Sequence, residues 1–392
     1  MRSGPRLRAT VPLFDVEFAE RFYNPRSDCA GLRSGIRPGI SVSIRCSEPP
    51  AGSPAAPGRS CSVAARRAVS VIVILFTGGT IAMRNDPDGG GALPGLTPTE
   101  ILAATRGIRA ITAVETEEWG QFPGPHMTVE RMWALRNRIV EHLARPEVTG
   151  VVITHGTDTL EESAYMVARS TSSEKPIVFT GAMRTVSDLG WDGPANLFEA
   201  VRVAASEETR GFGVMVVIGG QIFAALDTTK TNTHLLDAFE SPGLGPLGVL
   251  DEGELILRRE MPPSPPVITP NTLATPIDIL FAAAGTDSRL LDASRESARG
   301  LVLAAMGRGN VPPAMVPGIQ RWVADGKPVV ITSRTQGGRV GHTYGYPGGG
   351  RRLEEMGAIF GGSRRAQQAR IDLMLALGAG MTDADLRTMF DS

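Results

Sequence analysis

The strongest constraint on this 392-residue chain is the run Val71-Ile72-Val73-Ile74-Leu75-Phe76, which ends abruptly on Thr77-Gly78-Gly79-Thr80. Six consecutive apolar residues, four of them β-branched, read as a strand covered on both faces, and parallel sheets between helix layers bury their strands that way. The chain downstream repeats the theme. Thr97-Pro98-Thr99-Glu100 supplies an N-cap, a proline at the first helical position and a capping-box glutamate. A second helix is predicted from Thr128 through Met132, Trp133, Leu135, Ile139 and Leu143, followed by a strand over 150–154. Helix over 164–167, strand over 176–180, helix over 196–205 and strand over 213–218 continue the alternation, which predicts an α/β class with a doubly wound, mainly parallel sheet. Residues 85–95, rich in glycine with Asp and Pro, read as a mobile loop.

The pattern breaks over 258–276, where Pro262, Pro263, Pro265, Pro266, Pro270 and Pro276 suit a linker. A second, smaller α/β set follows, with strands expected at 277–283, 300–305 and 328–333 and a last helix at about 366–377. Four segments result: an N-terminal extension at 1–68, a larger α/β domain at 69–257, the linker at 258–276 and a C-terminal α/β domain at 277–392.

Charge separates the extension from the rest. Overall, 40 basic and 41 acidic residues leave a net charge of -1, so no bulk field attracts nucleic acid or an anionic membrane. Residues 1–70 nevertheless hold eleven arginines against five acidic residues, together with all three cysteines, Cys29, Cys46 and Cys61. The body therefore has neither a disulfide framework nor a cysteine nucleophile. With only three lysines among the basic residues, a GC-rich gene is expected. On that reading residues 1–68 are disordered or non-native upstream sequence, and translation begins near Val69. The apolar stretch 68–82 is broken by Ser70, Thr77, Gly78, Gly79 and Thr80 and is too short to span a bilayer, so the chain reads as soluble and cytoplasmic.

Several enzyme signatures are missing. The only Gly-Lys pair, Gly326-Lys327, precedes Pro328 rather than Ser or Thr, which excludes a P-loop. No Gly-x-Gly-x-x-Gly follows the first strand, no His-Glu-x-x-His occurs, and no Gly-x-Ser-x-Gly elbow is present. What remains is a set of hydroxyl-rich segments at expected strand ends: 77–80, then Thr154-His155-Gly156-Thr157-Asp158-Thr159, then Asp227-Thr228-Thr229-Lys230-Thr231-Asn232. Open α/β sheets bind ligands at such ends, and these residue types can supply a threonine nucleophile with a Thr, Lys and Asp set that moves protons. Each also has a plainer reading. Thr77 and Thr80 can satisfy turn backbone, Asp158 with Glu161 can form a capping box, Lys230 can be a solvated lysine, and His155 reads as structural. Lysine, unlike arginine, can lose its proton when desolvated, which sets Lys230 apart in an arginine-rich chain.

These segments resemble the bacterial-type L-asparaginase and glutaminase family over about 71–392. Thr77-Gly78-Gly79-Thr80-Ile81-Ala82 resembles its first signature and Ile153-Thr154-His155-Gly156-Thr157-Asp158-Thr159 its second. Gly181-Ala182-Met183-Arg184, Asp192-Gly193-Pro194-Ala195-Asn196, Thr229-Lys230-Thr231-Asn232, Gly245-Pro246-Leu247-Gly248 and Ala369-Arg370 add support. The resemblance implies an amidohydrolase of asparagine catabolism, without cofactor or metal, that acts on a small amide and assembles as a homotetramer or close homodimer. It implies Thr77 as nucleophile and Thr157, Asp158 and Lys230 as the second catalytic set. Substrate is implied to meet Gly78, Gly156, Asp158 and the segment Gly124, Pro125, His126.

Three departures stand out. The family's loop tyrosine is missing from 83–96, its expected position falling near Gly91 or Ala92. Its supporting glutamate aligns with Pro347-Gly348-Gly349-Gly350, and its substrate-gripping Ser-Gln pair with Gly124-Pro125. Tyr346 and Tyr344 are the candidate replacements for the activator, and His126 for the lost donors. Alternatives to asparagine hydrolysis are a glutaminase or other small-amide hydrolase, the ammonia-supplying subunit of a tRNA-dependent amidotransferase, and a catalytically silent binding protein.

Overall fold

The computed structural model describes residues 70–261, 263 and 265–391, and two backbone segments before them, Ile40–Ile44 and Val63–Arg67. Those two segments pair antiparallel, Ile40 opposite Arg67. The three cysteines and the remaining expectations for that segment lie outside the described residues.

The larger sheet contains β1 (Val71–Gly78), β2 (Ala113–Phe122), β3 (Val148–Thr154), β4 (Ile177–Thr180), β5 (Val214–Ile218), β6 (Gln221–Ala224), β7 (Gly248–Asp251) and β8 (Glu254–Leu257). Its order is β8-β7-β6-β5-β4-β3-β1-β2. The strands β2-β1-β3-β4-β5 are parallel and the other three antiparallel. Alternate side chains of β1 explain its uninterrupted apolar run. Ile72, Ile74 and Phe76 pack with Ile101 of α1 (Pro98–Ala104) and with Leu197 and Val201, while Val73 and Leu75 point to the opposite core with Leu135, Ile139, Leu160 and Ala164. Helix α1 carries the predicted capping box, Thr97 accepting from the Glu100 amide and Glu100 from the Thr97 amide. It is followed by α2 (Ile108–Ile111), α3 (Val129–Leu143), α4 (Leu160–Ser170) and α5 (Gly193–Ala205).

The structure adds detail that the sequence did not show. The segment 85–95 read as a loop contains Ala92–Pro94, which pairs with Met83–Asn85 as a short antiparallel hairpin. Edge strand β2 went unread because glutamates interrupt it; Glu115 and Glu117 are held by Arg145 and Arg138, each at 2.7 Å. Strand β5 does not lead directly into the Lys230 segment. Gly219 and Gly220, at φ 61° and 73°, turn the chain straight back into β6, as a two-residue hairpin with two positive φ values requires.

The smaller sheet runs in sequence order through β9 (Ile277–Phe281), β10 (Gly300–Ala305), β11 (Val329–Ser333) and β12 (Ile359–Phe360), all parallel. Helices α6 (Arg289–Arg295), α7 (Val316–Ala324), α8 (Gly350–Glu355), α9 (Ala366–Gly378) and α10 (Asp383–Asp391) accompany it, so the helix expected to be last is followed by another. The two sheets join through α4 and α9. Fully buried Asp372 of α9 accepts from Arg169 at 2.6 Å, Arg364 at 2.9 Å and Tyr165 at 3.0 Å. Burying a carboxylate is costly unless it is paired and hydrogen-bonded, so this network ties α9 to α4. The proline-rich segment follows the same seam, the Ile268 amide donating to the Arg169 carbonyl at 2.9 Å. Among the described residues no helix is long and apolar enough to cross a membrane.

Candidate active site

Parallel strands in the order 2-1-3-4-5 diverge above the carboxyl ends of β1 and β3, the place where such sheets bind ligands. Thr77 sits at that end of β1 and is completely buried; its hydroxyl donates to the Thr154 carbonyl of β3 at 2.8 Å. The chain then turns through Gly78 at φ 101° and Gly79 at φ 82°, angles that β-carbons disfavour. Three glycines pack backbone to backbone here. A β-carbon on Gly79 would lie 2.5 Å from the Gly156 Cα, and one on Gly156 would lie 2.6 Å from the Gly124 Cα. Gly124 is thus a spacer that lets the segment after β2 reach the β3 turn, and its carbonyl accepts from the Thr159 hydroxyl at 2.8 Å. The Gly79 amide is committed to the Phe122 carbonyl at 3.0 Å, which removes it from the backbone donors available to an oxyanion.

That packing makes a prediction. Gly156→Ala has backbone in its way that cannot swing aside, so it should lose about 1–3 kcal/mol of stability, whereas Gly337→Ala, with open space around it, should stay within about 0.5 kcal/mol. Denaturant unfolding of both variants checks the contrast; equal midpoints would contradict it.

Thr157 and Asp158 follow β3 directly. The Lys230 ammonium lies 2.9 Å from the Thr157 Oγ1 and 2.8 Å from the Asp158 Oδ1, so the structure assembles three of the expected residues across 73 positions of chain. Lys230 is mostly buried while Asp158 is 57% exposed, leaving that carboxylate open to a ligand. The capping-box reading of Asp158 and Glu161 is overturned. Thr159 is the N-cap of α4, without a side-chain cap, and Glu161 Oε2 instead accepts from the Lys230 backbone amide at 2.6 Å. Lys230 itself belongs to a two-residue ladder, Thr229–Lys230 with Phe239–Glu240.

His155 is structural, as expected. It is fully buried, its Nδ1 lies 2.9 Å from the Gly156 carbonyl and its Nε2 2.8 Å from the Ser163 hydroxyl, and burial pushes its pKa down to about 4. Asp192 and Asn196 also have a structural task. Asp192 accepts from the Met183 and Arg184 amides, and Asn196 bridges the Gly181 carbonyl and the Gly219 amide at 2.9 and 3.0 Å, tying the β4 turn to the β5 turn. Pro125 and His126 are exposed on a single 3-10 turn, Gly124–His126. Tyr344 and Tyr346 are exposed on the second domain, their rings 5.5 Å apart, and among the described residues no hydrogen bond or ring contact joins either to Thr77. No group of three or more His, Cys, Asp or Glu arranged to hold a metal occurs among the described residues.

Sequence reasoning passed over Glu161 as a site residue and Gln367 and Arg365 altogether. Gln367 donates to Glu161 Oε1 at 2.6 Å across 206 residues, a relation that no local spacing signals.

Comparison with known proteins covers both domains. Residues 71–263 match the family described as Asparaginase, N-terminal, and residues 276–390 the Glutaminase/Asparaginase C-terminal domain. A probable L-asparaginase of Deinococcus radiodurans is 39% identical over 322 residues, 81% of this chain and 96% of that protein. An L-asparaginase of Bacillus licheniformis is 31% identical over 320 residues, 79% of this chain and 95% of that protein. The crystal structure of a probable cytoplasmic L-asparaginase from Campylobacter jejuni aligns with a TM-score of 0.74 at 29% identity, over 82% of this chain and 99% of that one. Agreement across both domains and nearly the whole length of these relatives places the chain in the bacterial-type L-asparaginase family, as an enzyme of that family.

Proposed function

We propose that the protein hydrolyses the side-chain amide of L-asparagine to L-aspartate and ammonia, with Thr77 as nucleophile. The observation that carries this reading is the Lys230 ammonium bonded to both Thr157 and Asp158 just after β3, beside the carboxyl end of β1 that carries Thr77. In the first step the Thr77 oxygen bonds to the amide carbon, its proton leaves to a base, and the C–N bond breaks as nitrogen takes up a proton and departs as ammonia. Water then attacks the ester, and the Thr77 hydroxyl is regenerated with release of aspartate. Thr157, polarised by Lys230, holds a proton position for these transfers, while the exposed Asp158 carboxylate attracts the substrate α-ammonium. Before attack the Thr77 hydroxyl must turn away from the Thr154 carbonyl, because a carbonyl takes up no proton at neutral pH.

The names of the relatives support asparagine, and one from Pseudomonas aeruginosa, 31% identical over 291 residues, is a glutaminase-asparaginase. Gly78, Gly156 and the segment Gly124, Pro125 and His126 are assigned to the substrate position, with His126 in place of the missing Ser-Gln side chains. The working enzyme is assigned to residues 69–392, with domains at 69–257 and 277–392 around the 258–276 linker, in the cytoplasm and as a homotetramer or close homodimer. Ammonia release from L-asparagine and L-glutamine by the full chain tests the reading. Release from asparagine at least tenfold faster supports it, and release from neither overturns it.

Tyr346 and Tyr344 are proposed as replacements for the missing loop tyrosine in activating Thr77, acting from a neighbouring subunit. Tyr346→Phe should then lower turnover by about 100-fold with little change in KM. Full turnover in both Tyr346→Phe and Tyr344→Phe would leave activation to water or a backbone group.

A further inference from the structure

Lys230 can act only if its ammonium stays between Thr157 and Asp158, and its own two-residue ladder is too short to hold it there. Its backbone is held from outside. The Lys230 amide donates to Glu161 Oε2 at 2.6 Å, and Glu161 stands in the first turn of α4, just beyond Thr157 and Asp158. The same carboxylate takes its second hydrogen bond from Gln367 of α9, at 2.6 Å. Two neighbours of Gln367 grip the approach to Lys230: Arg365 donates to the Asp227 and Thr228 carbonyls at 3.0 and 2.7 Å, and Gln368 to the Leu226 carbonyl at 2.9 Å. One turn of a second-domain helix therefore holds the carbonyls of 226, 227 and 228 directly and the amide of 230 through Glu161.

The geometry points to Glu161 and Gln367 as positioning residues for catalysis, by which the second domain of the same chain sets the Lys230 ammonium against Thr157 and Asp158. Neither touches the substrate. A carboxylate suits the task because it accepts two N–H groups at once, here a backbone amide and a side-chain amide in a partly buried place. Misplacement of a catalytic group by about 1 Å costs roughly 100-fold in rate, so a bracket without substrate contact can still govern turnover.

The inference rests on the catalytic reading of Lys230, and the test separates the two. Steady-state ammonia release and thermal melting are measured on the full chain for Glu161→Ala, Glu161→Gln, Gln367→Ala, the Glu161→Ala/Gln367→Ala double variant and Lys230→Met. Glu161→Ala is expected to lower kcat about 100-fold with a much smaller change in KM, and Gln367→Ala about tenfold. Glu161→Gln should regain most of the loss, since its amide oxygen still accepts the Lys230 N–H. The double variant should be no worse than Glu161→Ala alone, because Gln367 acts through Glu161. Multiplying losses in the double variant, or wild-type kcat in Glu161→Ala beside an inactive Lys230→Met, overturns the bracket alone. Wild-type kcat in Lys230→Met overturns the reading beneath it. Should Glu161→Ala fail to fold, Gln367→Ala decides: a tenfold loss at an unchanged melting temperature supports the bracket, and full turnover overturns it.

Discussion

Thr77→Ala should reduce ammonia release by at least about 10⁴-fold, the scale seen when the attacking atom itself is removed. The fold should survive. Among the described residues the lost hydroxyl makes one hydrogen bond, to the Thr154 carbonyl, worth about 1 kcal/mol, and the buried methyl lost with it is worth about 1 kcal/mol more. In a body of this size each kcal/mol shifts the melting temperature by about 1.5 °C, so the fold loses about 3 °C and activity and stability separate cleanly. Thr77→Ser is the control, because it keeps the oxygen and deletes only a buried methyl; it should retain measurable turnover. Wild-type turnover in Thr77→Ala would remove Thr77 from the mechanism, and a collapse of the melting transition would show that its role is in packing.

Lys230→Met should lower turnover about 1,000-fold, combining lost proton handling at Thr157 with lost electrostatic support at the site. Methionine replaces the stem at nearly constant volume, so packing changes little. The broken Lys230–Asp158 pair should cost less than about 1 kcal/mol, because Asp158 is 57% exposed and solvent screens the pair. Lys230→Arg should not restore activity: arginine keeps the charge but cannot give up a proton, and its planar fork cannot take the place of a compact ammonium. Turnover of that variant near wild type would mean that charge alone suffices and that no proton passes through this position. Calorimetry beside steady-state assays distinguishes these outcomes.

Much of the larger domain was legible because its signals are short-range. An unbroken apolar run can be buried only on two faces, which identified β1, and the Thr97 to Glu100 spacing closes a reciprocal hydrogen-bond pair within one turn, which identified the start of α1. Thr77, Thr157, Asp158 and Lys230 stood out as polar residues at strand ends or in a lone lysine segment. Edge strand β2 was not legible, because its glutamates are compensated by Arg138 and Arg145, and an edge needs no continuous apolar face. The same local rule that found the α1 cap misread Asp158 and Glu161. In isolation that pair fits a capping box, but the ammonium and amide of Lys230 are stronger competitors once α9 brings them close. Spacing along the chain encodes bonds that close within a turn. Which donor reaches Glu161 from residue 230, and which from 367, depends on how two sheets dock through α4 and α9, and that docking follows from buried surface and the Asp372 network rather than from any periodicity in the sequence.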